Sequence, residues 1–244
     1  MGKKNYLIVY QDDQLVVIEK PAGVVINRAE SVKEITLQDW METSYPQAFS
    51  GKKTGENWRE FCRRSGVIHR LDKETSGVIV LAKTSQAFGD LKEQFKSRKV
   101  RKEYLALVHG RVSPGKGDIG LPLARNPKNR QKFAVRLGGR KALTKYQVTG
   151  YYQKDGKDFS LIKVMPETGR THQIRVHFQY LGYPLVADPR YLGKRLKEEL
   201  FWCPRLFLHA HKLIIVHPRT KKKLEFMVDL PKDLKKALNQ LTKI

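Results

Sequence analysis

Cysteine is almost missing from this chain, with two in 244 residues. Cys62 and Cys203 stand far apart and match no disulfide or metal-ligand spacing, so a disulfide-stapled secreted domain is excluded and free thiols are expected. Long apolar runs are missing too: no stretch approaches the ~20 residues needed to span a bilayer. The first residues, MGKKNYLIVYQDD, turn acidic after a short apolar stretch and offer no small-residue cleavage site. A cytoplasmic protein without a membrane partner is expected. Acid is also scarce, with 24 Asp and Glu against 48 Lys and Arg, a net charge of +24 and a pI near 10.0. A chain so short of negative charge most often meets a polyanion, and nucleic acid is the commonest. The cations cluster at Lys96–Lys102, at Lys128, Arg130, Lys132, Arg136, Arg140 and Lys141, and at Arg219 with Lys221 to Lys223.

What is present suffices for a real core. Hydrophobic residues make up 40% and aromatics 9%, enough for one large domain, and neither a repeat nor a low-complexity linker divides the chain. Tyr6–Tyr10 and Leu15–Ile18 read as a hairpin around QDDQ, broken by Lys20-Pro21-Ala22-Gly23. Ile35–Tyr45 has helical spacing, and residues 46–66 read as an irregular surface insertion. Val78–Ala82 is a strand; Thr84 is a good N-cap for a helix carrying Phe88, Leu91 and Phe95 on one face. Tyr104–Val108 reads as strand, residues 112–132 as loop, and Ala142–Tyr152 with Phe159–Val164 as two strands around QKDGKD. Thr171–Leu181 is helical, Arg205–Val216 and Lys223–Val228 are strands, and Pro231 opens a short last helix. Hairpins interrupted by single helices, without βαβ alternation, predict an α+β fold with a mainly antiparallel mixed sheet in a single catalytic domain over 1–244, its core about 6–230.

The stretch HRLDKETSG, residues 69–77, wedges two acids, three bases and two hydroxyls between apolar segments, where polar groups are costly unless something satisfies them. Thr75-Ser76-Gly77 suggests a turn, and an aspartate in a turn is ordinarily a cap or a solvated charge. A second constellation, TGRTHQIRVH from Thr168 to His177, packs two Arg and two His into about two turns. Arg170 and Arg175 there suit phosphates, or an arginine held as counter-ion to a buried acid. A solvated helix face fits poorly, because Ile174, Val176 and Phe178 interleave the polar positions. At Arg101-Lys102-Glu103-Tyr104 a basic run enters a strand through a tyrosine, which stacks on a nucleobase or fills the core. His172 and His177 are five apart and do not share a helix face, and His209 with His211 lacks a third ligand, so no metal is expected.

HRLDKETSG, KEYLALVHG and TGRTHQIRVH, in that order, resemble the RluA-type pseudouridine synthases, as do LVVIEKPAGVV, NPKNRQKFAV, GYPLVADPRY and RLFLHAHKLIIVHP. The resemblance covers most of the chain and implies an RNA pseudouridine synthase of ribosomal RNA, transfer RNA or both, with no cofactor and no metal; oligomeric state is left open, with a monomer as the default. It implies that Asp72 is the essential catalytic carboxylate, that Tyr104 stacks on the uracil, and that Arg175 pairs with the aspartate. It leaves open whether Asp72 adds to C1′ or takes a proton to give a glycal-like intermediate. It further implies that Arg70 intrudes where the target base left its stack, that Arg130 and Lys132 contact RNA phosphates, and that Ile174 walls the uracil pocket; Arg170, from the basic constellation, is expected to contact RNA as well. A semi-buried carboxylate drifts up in pKa, and a neighbouring guanidinium opposes that. The N-terminal S4-like domain of many relatives is not expected, and Lys52, Lys53, Arg59, Arg63 and Arg64 in the 46–66 segment add positive charge. Two other readings compete: a non-catalytic RNA-binding or ribosome-assembly factor on the same fold, and a metal-dependent nuclease, which lacks a carboxylate cluster.

Overall fold

The computed structural model describes residues 6–50 and 54–244, so Lys52 and Lys53 lie outside the described residues. The chain forms two compact units, one from Met1–Arg101 and Lys212–Val228, the other from Lys102–His211 and Asp229–Ile244.

In the first unit, β1 (Leu7–Gln11) and β2 (Leu15–Lys20) form the expected hairpin, with Asp12 accepting the N–H groups of Gln14 and Leu15 in the turn. β2 pairs antiparallel with β3 (Ser76–Ala82) through Val17–Val80 and Ile18–Ile79. All seven residues of β3 are buried, as an apolar run without alternation predicts. Helix α1 (Leu37–Ser44) starts at a capping box, in which the Thr36 hydroxyl accepts the Asp39 N–H and the Asp39 carboxylate accepts the Thr36 N–H. The segment 46–66 is less irregular than its composition suggests. It holds a 3₁₀ turn at Pro46–Ala48 and helix α2 (Glu56–Arg63), which buries Phe61 completely between Phe49 and Phe88. Four charged residues among the eight of α2 mask this one anchoring aromatic in the sequence. Helix α3 (Ser85–Lys96) is capped by the Thr84 hydroxyl and buries Phe88 and Leu91, as predicted.

The second unit is built on β4 (Arg101–His109), which pairs antiparallel with β9 (Lys157–Pro166), itself antiparallel to β8 (Thr144–Lys154). Residues 112–132, read as loop, contain β5 (Lys116–Ile119) on the edge of β8 and β6 (Leu123–Arg125), which pairs with β7 (Phe133–Val135). These strands have three or four residues among Gly and Pro, too few for a period-2 signal. Alternation along β4 and β9 builds two cores. Ala106, Val108, Ile162 and Val164 pack with Ile174 and Phe178 of helix α4 (Gln173–Tyr180). Leu107 and Phe159 face the other way, toward Val186, Ala187 and Phe207.

After the short helix α5 (Leu196–Glu199), strand β10 (Leu208–Val216) contributes to both units, since Leu208–His211 belong to the second and Lys212–Val216 to the first. Its first-unit half pairs antiparallel with β11 (Lys223–Met227). Pro231 caps rather than opens helix α6 (Lys232–Leu238), which buries Leu234 and Ala237 in the second core. Strand β12 (Thr242–Lys243) then returns to pair with Gln153 and Tyr152. The architecture is the expected α+β one, with a mainly antiparallel sheet. No helix of the described residues is long and apolar enough to cross a membrane.

Candidate active site

The HRLD loop lies in the first unit. Gly66 leads into it at φ +73°, where a Cβ would stand 2.2 Å from the Ala82 carbonyl oxygen, so only glycine lets the chain run this close to β3. The Ala82 N–H donates to the Gly66 carbonyl at 2.9 Å, and Val67 bridges to Leu81. His69 accepts the Val80 N–H on Nε2 at 3.2 Å and stacks on Phe95 with centroids 4.5 Å apart, which makes it a neutral ring anchoring the loop to β3. From there the side chains divide: Leu71 is buried, Arg70 is exposed and Asp72 is half-buried.

The turn lies three residues earlier than the hydroxyls suggest. The Thr75 N–H donates to the Asp72 carbonyl at 3.1 Å, closing a turn over 72–75, and Ser76 and Gly77 already belong to β3. Small polar residues mark the end of a turn as readily as its middle. The clamp on this turn was not legible. Lys20 has no exposed surface, and its Nζ donates to the carbonyls of Pro21 (2.9 Å), Val24 (3.1 Å) and Lys73 (3.2 Å). The Gly23 N–H donates to the same Lys73 carbonyl at 2.7 Å. A buried ammonium thus holds the residue next to Asp72, by hydrogen bonds to carbonyl dipoles that replace its hydration.

The second unit holds six of the predicted residues: Tyr104, Arg130, Lys132, Arg170, Ile174 and Arg175. Tyr104 lies on the β4 face that packs against the cluster containing Ile174, opposite Val164. Lys102, two residues earlier on that face, has its ammonium pushed down to about 8 by burial. Helix α4 is not a solvated face: Gln173 through Phe178 are all buried, and the Arg175 side chain is 0% exposed. Arg175 is the counter-ion of a buried acid, and that acid is Asp188. Nε donates to Asp188 Oδ2 at 2.8 Å and Nη2 to Oδ1 at 2.7 Å, a bidentate pair with both side chains fully buried. The Tyr191 ring lies 5.3 Å from the Arg175 Cζ and 5.8 Å from the Lys132 Nζ, so one aromatic ring serves two cations.

Arg130 is exposed in the β6–β7 connection, where its carbonyl accepts from the Arg125 guanidinium at 3.0 Å. Between Asp118 and Asp155 the chain carries nine Lys and Arg and no acid. Arg170 is half-exposed and donates through Nε to the Lys141 carbonyl at 3.1 Å. The α4 N-terminus is fixed by a chain of buried polar groups. Gln173 accepts from the Thr168 hydroxyl (2.7 Å) and the Arg170 N–H (3.0 Å), and donates to Thr144 Oγ1 (2.8 Å). His177 accepts the Thr144 hydroxyl on Nδ1 at 2.9 Å and donates from Nε2 to the Leu121 carbonyl at 3.0 Å; burial holds its pKa below the ordinary value. His172, in the left-handed region at φ +56°, bonds Tyr191 Oη through Nδ1 at 2.8 Å. Asp188, Tyr191 and Lys20 had no role assigned by sequence. An aspartate amid Leu-Val-Ala was the one available signal, because such an acid needs a cation.

A family model described as RNA pseudouridylate synthase matches residues 14–180. An uncharacterized RNA pseudouridine synthase of Chloroflexus aurantiacus is 42% identical over 91% of this chain, which spans 65% of that protein's length. The ribosomal large subunit pseudouridine synthase D of Pseudomonas aeruginosa is 37% identical over 93% of this chain and 68% of its own. Among solved structures, human RNA pseudouridylate synthase domain containing 1 superposes with a TM-score of 0.75 at 26% identity, covering 100% of this chain and 91% of that one. On the strength of the family match, which takes in the HRLD, KEY and HQIR segments together, this chain belongs to the RNA pseudouridylate synthase family.

Proposed function

We propose that this protein isomerises uridine to pseudouridine in RNA, with ribosomal RNA of the large subunit as the first substrate to test, because relatives carry that substrate in their names. Asp72 is the essential carboxylate. The N1–C1′ bond of the target uridine breaks, the uracil turns, C5 bonds to C1′, and the C5 proton leaves while N1 gains one. Tyr104 stacks on the uracil, Ile174 lines its pocket, and Arg175 supplies the positive charge that pairs with Asp72. Arg70 enters the space left by the flipped base, and Arg130, Lys132 and Arg170 meet phosphates. The protein works as a cytoplasmic monomer.

The observation that carries this reading is the Asp72 turn itself: a half-buried carboxylate beside an exposed arginine, on a loop pinned by a fully buried ammonium. A purely structural cap needs no such anchorage. The test compares wild type with Asp72→Asn on large-subunit ribosomal RNA transcripts by pseudouridine mapping and RNA binding. Wild type forms pseudouridine at one or a few sites, whereas Asp72→Asn forms none and binds RNA as before. Product made by Asp72→Asn would overturn the assignment.

A further inference from the structure

We propose that Asp188 is the positioning residue for Arg175, with Tyr191 completing the cradle; this rests on the reading of Arg175 as counter-charge to the catalytic carboxylate. A guanidinium presents five donors in a rigid fork. Asp188 takes the Nε–Nη2 edge with both carboxylate oxygens, and the Tyr191 ring stands 5.3 Å from Cζ. One edge and the ring contact together fix the position and plane of the group, and Nη1 is the nitrogen directed away from Asp188.

The cradle is itself held from several sides. Asp188 Oδ1 also accepts the N–H groups of Arg190 at 2.9 Å and Tyr191 at 3.1 Å, so this carboxylate cannot turn without breaking four hydrogen bonds. Tyr191 Oη accepts the Phe133 N–H at 2.9 Å and bonds His172, the residue that starts α4, at 2.8 Å. Immediately before Asp188, Ala187 sits at φ +52°, a conformation that costs an L-residue free energy and persists only where surroundings impose it. Buried Glu199 imposes it, accepting the Ala187 N–H on Oε2 at 2.7 Å while its Oε1 lies 2.7 Å from His109 Nε2. Strain placed one residue from the Arg175 partner, and maintained by a second buried acid, is more than a core needs for stability. An apolar pair would fill the same volume without desolvating two charges.

The test measures single-turnover pseudouridine formation and RNA affinity for wild type, Asp72→Asn, Arg175→Gln, Asp188→Asn and the Arg175→Gln/Asp188→Asn double variant, each below its unfolding temperature. Asp188→Asn is expected to slow the single-turnover rate by about 100-fold, the scale of an ångström-size misplacement of a reacting group, with RNA affinity unchanged. In the Arg175→Gln background the same change is expected to slow nothing further, because Asp188 acts only through Arg175. A wild-type rate in folded Asp188→Asn, additive slowing in the double variant, or a loss carried by RNA affinity alone would each overturn the proposal. If Asp188→Asn does not fold, the double variant decides, since it removes both buried charges together: a rate equal to Arg175→Gln supports positioning, and a slower one overturns it. An inactive wild type or an active Asp72→Asn would remove the functional reading and this proposal with it. Active wild type, inactive Asp72→Asn and unimpaired Asp188→Asn would remove this proposal alone.

Discussion

Lys20 and Lys73 lie 53 positions apart, and the ammonium of the first donates to the carbonyl of the second at 3.2 Å, one residue beyond Asp72. Lys20→Met keeps the length of the side chain and removes its hydrogen bonds to three backbone carbonyls. The Lys73 carbonyl keeps the Gly23 N–H, whereas those of Pro21 and Val24 lose this donor. Each acceptor left unpaired costs about 1–3 kcal/mol, so the variant is expected to lose roughly 2 kcal/mol or more in urea unfolding. Residual folded protein should isomerise slowly while binding RNA normally, because the loosened part is the Asp72 turn. Wild-type stability and rate together would show that the turn holds itself.

RNA affinity should carry the signature of the acid-free stretch from Ile119 to Lys154. Arg130→Ala/Lys132→Ala removes two cations, so the slope of log affinity against log salt should shallow by roughly 1.4–1.8. Filter binding over a salt series reads this directly. An unchanged slope would take these two residues out of the RNA path.

Lys102 offers a pH test. Burial pushes its ammonium down to about 8 from the ordinary 10.5. Below about 8 the folded protein must bury the charge, and that cost fades as pH rises from there to 10.5, where the unfolded chain also loses its proton. Lys102→Met should therefore raise the thermal midpoint near neutral pH, with the gain shrinking across that window. In wild type labelled at lysine Cε, one resonance should titrate near 8, and it should be missing from the variant.

His177 predicts the opposite end of the pH scale. Its pKa is held below the ordinary 6.5, chiefly by burial, against the opposing pull of the Leu121 carbonyl. The neutral ring's contribution is complete above 6.5 and is lost as pH falls through the lowered value. Urea unfolding at descending pH should show this acid-side loss in wild type and less of it in His177→Gln.

How much of this was legible depended on whether a signal was local. Val78–Ala82, Thr84 before α3, and the QKDGKD hairpin between β8 and β9 carry their own periodicity and caps, and each formed as read. β5 and β6 are too short for a period, and α2 hides one buried ring, Phe61, in a polar sequence. In the site, Arg175 was legible as an arginine needing an acid, because Ile174, Val176 and Phe178 imply a buried helix. Which acid was not: Asp188 is 13 positions away, on a segment whose left-handed Ala187 no propensity foretells. Lys20 was hidden for the same reason, since its carbonyl partners include one 53 residues distant.

The chain passes between its two units three times, after Arg101, His211 and Val228, and this sets a schedule for synthesis. Domains of a nascent polypeptide generally close in order from the N-terminus. Here the first unit must wait for Lys212–Val228 and the second for Asp229–Ile244, so neither has all its parts when synthesis has reached His211. A transcript cut short after β9 would release a chain holding HRLD and the KEY tyrosine but neither unit entire, a product for proteases rather than a partial enzyme.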